Sequence, residues 1–83
     1  PALSGERRAE LAKICHEMAE QGRVRVRNIR REAIDAFKKL QKSGGATEDD
    51  VKKFEKEVQN LTDKSIADIN TQLSRKEKAL KKI

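Results

Sequence analysis

Arg23-Val24-Arg25-Val26-Arg27-Asn28-Ile29-Arg30-Arg31 is the stretch on which the fold turns. Its first residues alternate cation and valine, the two-residue period of a half-buried strand, and branched valine suits a pleated surface. On either side, however, apolar residues recur at threes and fours. Leu11, Cys15, Met18, Gly22, Val26, Ile29, Ala33, Ala36 with Phe37, and Leu40 make one stripe of a helix, and the arginine stretch lies within it without a break in phase. The longer period overrides the shorter, and the stretch is read as the middle of a helix.

Outward from this segment, Ser4 is a candidate N-cap and Ser43-Gly44-Gly45-Ala46 is the first clear interruption, with Gly44 placed to take the left-handed conformation after the last turn. A helix over about residues 4–42 follows, roughly 60 Å long at about 1.5 Å per residue. Thr47 is positioned to cap a second helix over about residues 47–82, with Glu48, Asp49 and Asp50 in its first turn, where negative charge offsets the helix dipole, and Lys78, Lys81 and Lys82 near its far end. Val51, Phe54, Val58, Leu61, Ser65, Ile69, Leu73, Lys76, Leu80 and Ile83 form its stripe, with Ile66 beside it. The short connection at 43–46 makes the pair antiparallel. The fold class is therefore all-α, an antiparallel two-helix hairpin packed at a shallow angle. Gly22, in mid-stripe, admits a close backbone approach or a bend.

Composition agrees. Of 83 residues, 41% are charged and 35% hydrophobic, and Phe37 and Phe54 are the only aromatics, too few for a sandwich or barrel. No apolar run reaches the 18 residues of a membrane span, and nothing resembles a signal peptide, so a soluble intracellular protein without a membrane partner is expected. Cys15 has no disulfide partner in the chain, and Cys15 with His16 supplies too few ligands for zinc. No nucleophile–base pairing or phosphate loop is present, so neither enzymatic activity nor a cofactor is expected. A chain this small and this charged buries only a thin core. Two helices leave part of each stripe facing water, so a third helix, from a longer chain or from a second copy, is expected to complete the bundle.

The net charge is +6, and it is uneven: residues 1–45 hold 11 basic and 6 acidic side chains, residues 46–83 hold 9 and 8. Five arginines fall in the nine residues 23–31, with no acid among them. Projected at about 100° per residue, Arg23, Arg27, Arg30, Arg31 and Lys38 share an arc of about 100° on the side roughly opposite the apolar stripe, with Ile34 inside it and Arg25 outside. A guanidinium pairs bidentately with phosphate and stacks on bases, so Arg23, Arg27, Arg30 and Arg31 are the candidate nucleic-acid-binding residues. A solvated face of a coiled-coil protein-interaction module gives the same pattern and stands as the alternative.

Four blocks carry a family resemblance: Pro1-Ala2-Leu3-Ser4-Gly5-Glu6-Arg7-Arg8, then Arg23 through Ala33, then Val58-Gln59-Asn60-Leu61-Thr62-Asp63-Lys64-Ser65-Ile66, and finally Lys76-Glu77-Lys78-Ala79-Leu80. In order and spacing they resemble the C-terminal half of bacterial and organellar ribosome recycling factor. Departures are Gly5 in place of a usual acid, Arg25 in place of a small residue, and Gly44-Gly45 in place of a charged loop. The resemblance implies an L-shaped protein whose long arm is a three-helix bundle, of which this chain supplies helices two and three. The first helix and an inserted β domain are then expected N-terminal to Pro1. It further implies that Arg27 and Arg30, with Arg31 and Arg23 beside them, contact rRNA of the large ribosomal subunit. The implied activity is separation of post-termination ribosomes together with elongation factor G, in bacterial cytoplasm or in an organelle.

Overall fold

The computed structural model describes residues 4–82; Pro1, Ala2, Leu3 and Ile83 lie outside the described residues. Two helices, α1 (Gly5–Lys42) and α2 (Glu48–Lys82), run antiparallel in a rod 64 Å long and 15 by 11 Å across. The arginine stretch is helical throughout, in the middle of α1.

Local hydrogen bonds set the helix ends. The Ser4 hydroxyl accepts from the Arg7 backbone N–H at 3.1 Å and so satisfies one of the donors left over in the first turn. At the other end Gly44 adopts φ of 86°, and its N–H donates to the carbonyl of Gln41 while that of Gly45 donates to the carbonyl of Leu40. This paired arrangement stops the helix and turns the chain, and a side chain at Gly44 would meet the left-handed backbone penalty. Leu40 then lies against Gly45, where a Cβ would sit only 2.5 Å from its Cδ1. Thr47 and Asp50 cap α2 reciprocally: the Thr47 N–H donates to Asp50 Oδ2 at 3.0 Å, and the Asp50 N–H donates to Thr47 Oγ1 at 3.1 Å.

The seam between the helices is narrow. Among the described residues only Val51 and Thr62 are buried. Near the loop the rings of Phe37 and Phe54 stack with centroids 4.3 Å apart. Farther along, Ile69 lies against Gly22, where an added Cβ would be 3.3 Å from its Cδ1, so the glycine serves close approach. Thr62 occupies a place in the seam that the sequence periodicity assigns to Leu61. Its hydroxyl donates to the carbonyl of Val58 at 2.8 Å, which satisfies the polar group internally and lets it be buried. Leu61 is displaced outward and 65% exposed, as are Ile29 (64%) and Met18 (66%), all three expected in the core. They border two open, largely apolar hollows that form a groove along one edge of the seam, one with Val26 and Phe54 nearer the loop and one with Cys15 and Leu73 farther from it.

The first-turn cap makes a pH prediction. The backbone N–H and hydroxyl of Thr47 hold the Asp50 carboxyl below its ordinary value of 3.8. A depressed carboxylate pKa contributes stability that is fully present above the unfolded value and is lost as pH falls through the folded one. Asp50→Asn should therefore melt below the native chain at neutral pH, and the gap should close as pH drops below 3.8. Circular dichroism melts across that range provide the check, and a gap independent of pH would refute the cap's role.

Candidate nucleic-acid interface

The edge of the seam opposite the groove carries the arginines, and it is closed by polar contacts between the helices. From the far end toward the loop, His16 Nε2 lies 2.8 Å from Glu77 Oε1, and Arg23 Nε donates to Asn70 Oδ1 at 3.0 Å. Arg30 Nη1 then donates to Gln59 Oε1 at 2.6 Å, and Lys38 Nζ lies 3.7 Å from Glu55 Oε1. Each α1 side chain in this ladder is cationic or can become so, and each α2 partner is a carboxylate or an amide oxygen. The series is possible because the antiparallel register brings successive turns of α1 against successive turns of α2.

This geometry corrects the projection that set the arginine arc roughly opposite the apolar stripe. The stripe is wider than the seam, and α2 packs on its margin nearest the arginines. Arg23 and Arg30 are consequently half-buried at the seam. The Arg30 Nε is buried without a hydrogen-bond partner, and the residue also borders the apolar groove. Arg27 and Arg31 point farther round the helix and are exposed. The side chain of Arg27 is 48% exposed against 19% for Arg23.

The cluster also has an acid that its own nine residues lack. Glu20, one turn earlier, contacts Arg23 Nη1 at 2.7 Å and lies 3.8 Å from Arg27 Nη1. Both pairs lie at the surface, where such contacts contribute little and are screened by salt. No ion pair of Arg31 is formed among the described residues. The arginine edge thus presents two outward guanidinia, Arg27 and Arg31, beside two others held in place from α2. Cys15 is half-buried, Ile34 is half-buried near the arginines, and His16 is exposed apart from its contact with Glu77.

Sequence reasoning missed Gln59, Asn70 and Glu20. A signal for the first two was present: residues equidistant from the 43–46 connection face one another in a hairpin, and that register sets Asn70 and Gln59 near Arg23 and Arg30.

Against this geometry, residues 1–80 match the family model described as ribosome recycling factor. The chain belongs to the ribosome recycling factor family. The ribosome-recycling factor of Clostridioides difficile (strain 630) is 51% identical over 83 residues, all of this chain and 45% of the relative. That of Enterococcus faecalis (strain ATCC 700802 / V583) is 51% identical over 80 residues, 96% of this chain and 43% of the relative. That of Thermosynechococcus vestitus (strain NIES-2133 / IAM M-273 / BP-1) is 53% identical over 78 residues, 94% of this chain and 43% of the relative. The chain thus spans less than half the length of the curated relatives it matches. Among the described residues no helix is long and apolar enough to cross a membrane.

The two kinds of arginine separate in stability. Arg23→Ala loses the contacts to Asn70 and Glu20 and should cost about 0.5–1.5 kcal/mol, whereas Arg27→Ala should stay within about 0.5 kcal/mol of the native chain. Arg30 belongs with Arg23, since its side chain is half-buried in the seam and hydrogen-bonded to Gln59. Urea or thermal unfolding of the full chain distinguishes them, and equal effects at Arg23 and Arg27 would contradict the placement.

Proposed function

We propose that this chain is part of a translation factor that docks on rRNA of the large ribosomal subunit and, with elongation factor G, separates post-termination ribosomes into subunits for reuse. The observation that carries the docking is the arginine edge: Arg27 and Arg31 exposed, Arg23 and Arg30 beside them, all on one side of a stiff rod. Arginine forks match phosphate oxygens, and a straight helix sets successive forks about one turn apart, a spacing suited to following a nucleic-acid backbone. The exposed pair between Glu20 and Arg27 is weak enough for a phosphate to displace.

The role is mechanical and non-enzymatic. The rod binds through charge, and its stiffness transmits the translocase's motion to the contacts that join the subunits. The location is the bacterial cytoplasm or an organelle's interior. The open groove along Met18, Ile29 and Leu61 calls for an apolar helix, and the resemblance assigns that place to the family's first helix within one bundle domain. On this reading the groove and the arginine edge have different partners, so the chain need not choose between a helix-binding module and an RNA-binding one.

Counterion release provides the test. Replacing both Arg27 and Arg31 by alanine in the full-length protein should lower the slope of log affinity against log salt for large ribosomal subunits by about 1 per arginine. Ribosome splitting should slow in parallel. Unchanged affinity, slope and splitting would overturn the proposal.

A further inference from the structure

We infer that Gln59, itself held by Asp63, is a positioning residue that fixes the Arg30 guanidinium for its RNA contact. The inference rests on the reading above and concerns residues on the other helix. Gln59 Oε1 accepts from Arg30 Nη1 at 2.6 Å, the shortest hydrogen bond between the two helices, and Gln59 Nε2 donates to Asp63 Oδ1 at 2.8 Å, one turn along α2.

The polarity of this chain of contacts is one-way. Arginine only donates and an ionised carboxylate only accepts, so a single orientation of the Gln59 amide serves both neighbours. Asp63 therefore decides which end of the amide meets Arg30. Turned over, the amide would present N–H to N–H and push the guanidinium away. A free arginine carries several rotatable bonds, and ordering a side chain of that kind on binding weakens affinity. The relay orders Arg30 in advance.

Two features mark the arrangement as directed at an outside anion and not merely at holding the helices together. A hairpin brace would be served by a carboxylate on α2, as in the contact of Lys38 with Glu55 at the same edge. At position 59 the partner is neutral, so it orients the guanidinium without cancelling its charge. Gln59 also occupies only one of the five N–H donors of the guanidinium, and Nε is buried without a partner. The remaining donors of Nη1 and Nη2 keep the full positive charge for a phosphate.

A double-mutant cycle in the full-length protein tests this, with purified large ribosomal subunits as the probe. Arg30→Met retains an unbranched stem in the seam and removes the charged head. In the native background Gln59→Ala should weaken binding about two- to tenfold, with the salt slope unchanged because no cation is lost. In the Arg30→Met background Gln59→Ala should have no effect. Equal losses in both backgrounds, or no loss in the native one, would overturn the positioning role while leaving the Arg30 contact standing. No loss from Arg30→Met itself would remove that contact and the inference with it. Asp63→Ala, at an exposed position without direct contact to Arg30, removes the acceptor for Gln59 Nε2 and carries the same cycle if Gln59→Ala lowers the melting midpoint.

Discussion

Two antiparallel helices share a single seam, and in this chain the seam is too narrow to hide both apolar stripes. Among the described residues only Val51 and Thr62 are buried along it, and Ile69 lies close against Gly22. The two edges of the seam then have to be treated differently by the sequence. One is bridged by the polar ladder from His16–Glu77 to Lys38–Glu55. The other is left as a groove edged by Met18, Ile29 and Leu61. A small charged chain gains little from so thin a core, so a helix covering the groove would add to its stability.

The placement of the arginines follows from the same constraint. Because α2 sits on the margin of the stripe nearest them, Arg23 and Arg30 are drawn into the seam while Arg27 and Arg31 remain outside. Arg23, Arg27 and Arg31 are thereby mounted on one edge of the seam and the apolar hollows on the other, with Arg30 between them. A partner helix and a nucleic-acid backbone could occupy these two edges at once without competing. On the proposed function, tethered guanidinia beside free ones would divide the labour: the first are ordered before binding, and the second are free to adapt to phosphates.

Much of this was legible from residues alone, for physical reasons. Ser4, Gly44 and Thr47 mark helix ends because capping is decided by hydrogen bonds spanning three or four residues. The apolar period through Arg23–Arg31 correctly outweighed the valine alternation, since burial along a whole rod exceeds the propensity of five residues. The facing of each position within the stripe was not legible. A hairpin and a three-helix bundle share the same period, so Leu61 and Ile29 read as core whether another helix covers them or not. Thr62 could enter the seam only because its hydroxyl bonds within its own helix, which no hydrophobicity count registers. The arginine arc was measured from the centre of the stripe, whereas α2 packs off-centre. That is why Gln59 and Asn70 came to light only with the register.

The central claim is that the arginine edge, and not the chain's positive charge in general, meets the RNA. Arginine-directed chemical footprinting with phenylglyoxal, read by mass spectrometry on the full-length protein free and bound to large ribosomal subunits, tests it most directly. Arg27 and Arg31 should lose reactivity on binding, while Arg75, exposed on α2, should react as in the free protein. Protection of Arg75 with Arg27 and Arg31 still reactive, or uniform protection of all three, would contradict the account.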